Sequence, residues 1–116
     1  MKKIEAYIKS DKLKEAIHEL KKIGVPGFTY YAVTGHGREE EVKGFVPRGI
    51  SAIPIKEDIL PRTKIEIMCN DKDVDKIFEA IWKACCTKKP GDGMVFVSPI
   101  TAAYKLKAKE KLSKLE

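Results

Sequence analysis

The sequence predicts an α+β protein in which two successive β-α-β units share one antiparallel four-stranded sheet. Two observations support this fold class. A strand pattern and the helix pattern after it recur 61 residues later in the same register, and each helix is followed by a second apolar strand segment. The 116 residues, 43% apolar and 34% charged, fit a single two-layer core, so we expect residues 1–116 to form one domain.

The first and third strands are predicted at two similar segments. KIEAYI begins at Lys3 and KIEIMC begins at Lys64, and in both segments apolar and polar residues alternate, as in a strand with one buried face. The residues expected to face the core are Ile4, Ala6, Ile8, Ile65, Ile67 and Cys69.

A helix is predicted after each of these strands, because apolar residues recur there at helical spacing. Ser10 or Asp11 is the expected N-cap of the first helix, and Gly24 its expected C-terminal stop. Asn70 or Asp71 is the expected N-cap of the second helix. The residues expected to face the sheet are Leu13, Ala16, Ile17, Leu20, Val74, Ile77, Phe78 and Ile81.

The remaining two strands are predicted at residues 27–33 and 94–97, each after a Pro- and Gly-containing turn. The order β-α-β, long connection, β-α-β is typical of a ferredoxin-like sandwich, with both helices on one face of the sheet. The other face then lacks cover. Because Tyr7 and either Tyr30 or Tyr31 point to it, we expect oligomerisation through that face.

The connection at residues 36–60 is unusually long for a compact domain. Glycines and prolines interrupt every periodic run within it. Connections longer than about 12–15 residues without secondary structure are mostly functional or disordered. A long loop on a rigid sandwich is a common binding device, so this segment is a candidate partner-binding loop.

The turn TKKPGDG at residues 87–93 has two interpretations. Pro90 fixes its own φ and Gly91 and Gly93 permit positive φ, so ordinary turn chemistry accounts for these residues. The same glycines would also let backbone N–H groups approach a phosphate, with Lys88 and Lys89 adding positive potential. The residues of this turn are compatible with an ordinary turn and with a phosphate-binding turn.

Charge and cysteine content exclude several classes of protein. The net charge of +6 suits an anionic partner, but the basic residues are dispersed and lack interleaved aromatics, which argues against nucleic-acid binding. Three cysteines without metal-ligand spacing predict buried thiols in a reducing compartment. No run of 18 apolar residues and no signal-peptide pattern are present, so we expect a cytoplasmic protein that does not insert into membranes.

Five segments together resemble the PII signal-transduction family of trimeric nitrogen-regulation proteins, over residues 1–107. The matching segments are MKKIEAYIK at the start, GVPGFT at 24–29, GHGR at 35–38, LPRTKIEI at 60–67 and TKKPGDG at 87–93. The resemblance implies the double β-α-β fold, a homotrimer, and an adenine nucleotide (ATP, ADP or AMP) in the cleft between subunits. It also implies that residues 36–60 are the partner-docking T-loop and 87–93 the B-loop.

The resemblance further implies which residues act. Lys105 and Lys107 stand where the family has arginines that reach a neighbour's phosphates; they would lie on one side of an extended tail at 99–116, or else in a charged helix over 103–115. The implied partner-binding residues are Lys43, Phe45, Arg48, Ile50 and Ile53. The implied nucleotide-binding residues are Thr29, Gly35, His36, Gly37, Arg38, Met68, Thr87, Lys88, Lys89, Gly91, Asp92, Gly93, Met94, Lys105 and Lys107.

Several positions depart from the family pattern. Glu39 replaces the glutamine that helps to hold Mg²⁺ and 2-oxoglutarate; a carboxylate could still ligate Mg²⁺ but would repel a dicarboxylate, which argues against 2-oxoglutarate binding. Met94 replaces a lysine, and His36 replaces a phenylalanine. Lysines at 105 and 107 keep the charge of arginine but lose its forked geometry.

The sequence therefore predicts a PII-like signalling protein whose long loop regulates an unidentified partner, either a membrane transporter or a metabolic enzyme. The alternative is a PII-scaffold trimer that senses another small anion or acts only as an interaction module. An enzyme such as an acyl-phosphate hydrolase is disfavoured, because the first strand–helix turn, IKSDKL, has neither the glycine of a phosphate cradle nor an arginine.

Overall fold

The computed structural model describes residues 1–35 and 61–115. The elements are β1 (Lys2–Lys9), α1 (Leu13–Lys22), β2 (Thr29–Thr34), β3 (Pro61–Cys69), α2 (Val74–Cys85), β4 (Gly93–Pro99), β5 (Ala103–Lys105) and β6 (Glu110–Leu112). Short 3-10 turns, Ser10–Lys12 and Asp71–Asp73, precede the two α-helices. Within the described ranges, no helix is long and apolar enough to cross a membrane.

Strands β1 to β4 form one antiparallel sheet in the order β2-β3-β1-β4. Each helix connects two strands that lie either side of a third, as expected for the ferredoxin-like arrangement. The predicted α+β fold is therefore confirmed. Among the strands in residues 1–35 and 61–115, β2 and β4 lie at the two edges of this sheet, and β5 pairs with β6 in a separate hairpin.

The core lies between one face of the sheet and the two helices, and every inward-facing residue predicted on β1 and β3 is buried there. On α2 the buried stripe is Ile77, Ala80, Ile81, Ala84 and Cys85, which is the spacing of a single helical face. Phe78, predicted to face the sheet, is 41% exposed because it lies about 100° around the helix from Ile77. The face of α2 that packs on the sheet therefore includes two small residues, Ala80 and Ala84, and not Phe78.

The predicted N-caps are wrong. Neither helix has a side-chain cap hydrogen bond, because a 3-10 turn leads into each. Ser10 instead shares a 2.9 Å hydrogen bond with the buried Thr63, and Asp71 accepts one from the terminal amine of Met1 at 2.9 Å. Asn70 binds the main chain of Leu115.

The predicted stop at Gly24 is confirmed. Gly24 has φ 80°, its N–H donates to Lys21 O at 3.0 Å, and the N–H of Val25 donates to Leu20 O at 3.1 Å. This pair of bonds is a Schellman motif, which satisfies the last carbonyls of α1.

The C-terminal segment is extended rather than helical, so the alternative of a charged helix over 103–115 is wrong. The β5–β6 hairpin pairs Ala103 with Leu112 and Lys105 with Glu110. Lys105 lies in β5 and Lys107 in the turn that follows it.

Candidate functional site

The turn at 87–93 is organised around the carboxylate of Asp92. The backbone N–H groups of Thr87 and Lys88 donate to Asp92 Oδ2 at 2.7 and 3.0 Å, and the Thr87 hydroxyl donates to Oδ1. These hydrogen bonds, with the Thr87 side chain first, hold the pKa of Asp92 below its ordinary value, and Lys9 Nζ at 3.8 Å adds to the effect. Asp92, implied by the resemblance as a ligand contact, therefore stabilises the turn itself.

Three residues in and beside this turn have positive φ: Lys88 (61°), Gly91 (90°) and Gly93 (115°). The sequence predicted this conformation for the glycines but not for Lys88. At Gly93 a Cβ would lie 1.8 Å from the main-chain oxygen of Tyr7, so the turn enters β4 in direct contact with the backbone of β1. Only glycine fits that contact.

The 87–93 turn is flanked by two cationic side chains that were not predicted from the sequence. Lys9 is the last residue of β1 and Arg62 the second residue of β3, and the two are directly paired across the sheet. Arg62 Nη2 and Lys9 Cε each lie 3.5 Å from the position that a Cβ on Gly91 would take. The antiparallel pairing of β1 with β3 could have indicated them, because it places the end of β1 and the start of β3 near the start of β4.

The open face of the sheet carries a connected set of charges and aromatic rings. Lys64 Nζ lies 2.6 Å from Glu5 Oε2 and sits over the rings of Tyr7 and Tyr31, at 5.4 and 5.6 Å from their centroids. The hydrogen bond with Glu5 is the main reason that the pKa of Lys64 is raised. Tyr31 is therefore the tyrosine on this face, whereas Tyr30 pairs with Ile65 and lies on the helix side.

Glu66 belongs to the same set. It accepts a 2.9 Å hydrogen bond from the Tyr31 hydroxyl and lies 3.2 Å from Lys3 Nζ, and these two contacts, in that order, lower its pKa. Thr29 pairs with Glu66, which places the Thr29 side chain on the open face at the β2 edge.

The predicted nucleotide-binding residues do not form one cluster within a single chain. Thr29 lies on one edge of the sheet and Met94 on the other, separated by three interstrand spacings, or about 14 Å. Met94 is 61% exposed beside the 87–93 turn, and Met68 is exposed on β3 opposite Lys3. The segment that carries Lys105 begins at the far end of β4 from the turn.

Gly35 is exposed at the end of β2. The other predicted residues of the long connection lie outside the described part of the chain: His36, Gly37, Arg38, Glu39, Lys43, Phe45, Arg48, Ile50 and Ile53.

The cysteines are free thiols, with Cys69 and Cys85 buried and Cys86 half-buried. Burial raises the pKa of Cys69 and raises that of Cys85 to about 11, so both stay protonated at neutral pH. Among residues 1–35 and 61–115, no group of three His, Cys, Asp or Glu side chains could hold a metal ion.

The fold and the cation-flanked glycine turn define a small ferredoxin-like protein with a candidate anion site at one sheet edge. The family model described as "Nitrogen regulatory protein P-II" matches residues 1–110. Nitrogen regulatory protein P-II of Azospirillum brasilense is 39% identical over 116 residues, which cover 96% of each chain. P-II 2 of Methanothermobacter thermautotrophicus is 36% identical over 110 residues, 95% of this chain and 92% of the relative.

Nitrogen regulatory protein P-II of Cereibacter sphaeroides is 40% identical over 112 residues, which cover 95% of each chain. The chain therefore belongs to the P-II family of nitrogen regulatory, signalling proteins. The resemblance found from the sequence is confirmed.

Proposed function

We propose that this chain is a cytoplasmic signalling protein that binds an adenine nucleotide between subunits of a homotrimer and regulates a partner protein through residues 36–60. The observation that carries the proposal is the 87–93 turn, in which three residues have positive φ and Lys9 and Arg62 flank Gly91. A turn of this kind, surrounded by cations, is suited to phosphate.

The phosphate donors are expected on the second half of the turn. The N–H groups of Thr87 and Lys88 already donate to Asp92, so they keep the turn closed rather than bind ligand. Gly91 then presents backbone to the phosphate oxygens, while the Arg62 guanidinium can bind two of them in its forked geometry. Lys88 and Lys89, both exposed, add positive potential.

A second subunit supplies the other half of the site in this proposal. Thr29 and the 87–93 turn lie on opposite edges of one sheet, so a nucleotide that touches both must bridge two chains. Packing of the open sheet faces around a threefold axis would bring the β2 edge of one chain to the β4 edge of the next. Lys105 and Lys107, on a segment that starts at the far end of β4, would then reach a neighbour's phosphates.

The nucleoside contacts follow from the same assembly. Met94, at 61% exposure, offers an apolar surface where the family has a lysine, and Met68 offers another on β3. We expect the Thr29 hydroxyl to bind the adenine edge between these two thioethers.

The long connection is joined to the site at its base. It leaves the sheet after β2 and re-enters at Pro61, and Thr34 pairs with Pro61 next to Arg62. A ligand on Arg62 would therefore bias the conformation of the 36–60 loop and its access to a transporter or metabolic enzyme. Coupling of this kind requires that the nucleotide binds one loop conformation more tightly than the other.

Calorimetric titration of the purified protein with ATP, ADP and AMP tests the proposal, together with its mass by analytical ultracentrifugation. We expect an assembly of three chains and saturable heat from at least one nucleotide below millimolar concentration. Arg62→Ala should weaken binding by at least about ten- to a hundredfold, since one charge-assisted hydrogen bond contributes that much and the guanidinium can make two. Lys76→Ala, which removes one charge near the start of α2, is the matched control and should not change the affinity.

Absence of heat from all three nucleotides would contradict nucleotide binding. Because Glu39 stands where the family has glutamine, 2-oxoglutarate with Mg²⁺ should leave the affinity for ATP unchanged.

The exposed Met94 favours one second candidate function, a trimer that senses a smaller anion without a nucleoside. Heat from inorganic phosphate or pyrophosphate alone, lost in Arg62→Ala, would favour that function.

A further inference from the structure

The C-terminal segment is joined to the body of the protein at both ends. The N–H of Ile100 donates to Met1 O at 3.0 Å. At the other end, Asn70 and Leu115 exchange two hydrogen bonds: Asn70 Nδ2 donates to Leu115 O at 2.5 Å, and Leu115 N donates to Asn70 Oδ1 at 2.8 Å. Residues 101–114, which include Lys105 and Lys107, form a closed loop between these two attachments.

The hairpin inside this loop is short and exposed. Each strand has three residues, and every residue from 103 to 112 is half-buried or exposed, including Tyr104 at 64% and Leu106 at 98%. Its turn also places Lys109 at φ 51°, which is unfavourable for a residue with a Cβ. An isolated two-stranded hairpin is marginally stable in water, so we expect the two attachments to stabilise this one.

Asn70 suits the attachment because its amide offers one acceptor and two donors, like a short piece of main chain. Aspartate could accept from Leu115 N but would repel Leu115 O. Asn70 makes no capping bond to the following 3-10 turn, so its side chain is not engaged there. The residue before it, Cys69, is buried in the core, which fixes the position of Asn70 on a rigid strand end.

We propose that Asn70 is a positioning residue that, by holding Leu115, keeps the 103–112 hairpin folded and so sets where Lys105 and Lys107 are presented. The role of the two lysines toward nucleotide phosphates rests on the proposed function. The two hydrogen bonds between Asn70 and Leu115, which we call the latch, do not depend on the proposed function.

Amide hydrogen exchange of the 116-residue chain tests the attachment of Leu115 to Asn70 without any ligand. In Asn70→Ala, the amides of residues 103–112 should exchange on the order of tenfold faster than in the wild type, because two hydrogen bonds are lost. Amides of β1 and β3 should not change. Asn70→Asp, which keeps an acceptor for Leu115 N but loses the donor to Leu115 O, should also accelerate exchange, by no more than Asn70→Ala does. The exposed neighbour Lys72→Ala is the control that should leave the hairpin protected.

Removal of residues 113–116 is a second way to open the latch, with residue 70 intact. It should accelerate exchange over 103–112 by the same factor, and Asn70→Ala should add nothing in the shortened chain. Unchanged hairpin exchange in either variant would overturn the proposal. An equal acceleration in the hairpin, β1 and β3 would also overturn it, since that pattern indicates global opening rather than a local latch.

Nucleotide titration then separates this inference from the proposed function. Asn70→Ala should raise the Kd of the preferred nucleotide by about as much as the double variant Lys105→Ala/Lys107→Ala, and the combination should give no further rise. If the wild type binds no nucleotide, the proposed function fails, whereas the exchange experiment still decides the latch. If nucleotide binds but Asn70→Ala leaves its Kd unchanged, the positioning role is wrong.

Discussion

The two β-α-β units match in strand and helix register but differ in how each helix returns to the sheet. In the first unit, α1 closes with the Schellman motif at Gly24, and β2 begins at Thr29. In the second, α2 ends with an extended Cys86 and the chain enters the 87–93 turn before β4. The strands and helices that repeat in the two units form the core, whereas the connection that differs between them, residues 87–93, forms the candidate site.

A glycine with positive φ stands in both connections, yet the two are under different constraints. A Cβ on Gly24 would have no neighbour within 4 Å, whereas a Cβ on Gly93 would lie 1.8 Å from Tyr7 O. In the first unit glycine only permits a backbone angle. In the second it also permits main chain to pack on main chain, which brings the turn next to Lys9 and Arg62.

Substitution of these two glycines should give the largest difference between the units. Gly24→Ala should cost about 1 kcal/mol, because the left-handed conformation is its only penalty. Gly93→Ala should cost more than about 3 kcal/mol, because the added methyl must displace the backbone of β1 or β4. Urea unfolding followed by circular dichroism measures both values, and equal losses would show that the close approach to Tyr7 can relax.

Removal of the Asp92 carboxylate should have the next largest effect. Asp92→Ala leaves the N–H groups of Thr87 and Lys88 without their acceptor, and we expect a loss of about 1–2 kcal/mol in the free energy of unfolding. Asp75→Ala, on the exposed first turn of α2, is the matched control and should be close to neutral.

The pH dependence of that loss has a defined sign. Because the pKa of Asp92 is lowered in the folded state, its stabilisation is present above the ordinary aspartate pKa of about 4 and is lost as the pH falls through the folded-state pKa. The stabilities of the wild type and Asp92→Ala should therefore converge below about pH 4. A constant difference across the acid range would contradict a role for the ionised carboxylate.

The sequence was sufficient for the features that depend on local pattern. Alternation in β1 and β3 identified Ile4 and Ile67 as core residues, and glycine identified the positive φ at residues 91 and 93. It missed features that depend on contacts between distant segments. Arg62 lies near the turn because β1 pairs with both β3 and β4 in the sheet. Asn70 was predicted as an N-cap because its hydrogen-bond partner, Leu115, lies 45 residues away in the sequence.

The same limit applied to the choice between Tyr30 and Tyr31. Both are strand residues of similar character, and only the register with β3 shows that Tyr31 is on the open face and Tyr30 on the helix side. The Tyr31 hydroxyl joins the units there, since it belongs to the first unit and donates to Glu66 of the second.

Removal of that hydroxyl should give the smallest effect, visible as a pKa change rather than as unfolding. The Tyr31 hydrogen bond is the first cause of the lowered pKa of Glu66, so Tyr31→Phe should raise this pKa toward its ordinary value. Tyr30→Phe removes an equivalent hydroxyl from the other face and should leave it unchanged. Carboxyl ¹³C NMR titration measures both, and an equal rise in the two variants would contradict a specific role of the Tyr31 hydrogen bond in setting the ionisation of Glu66.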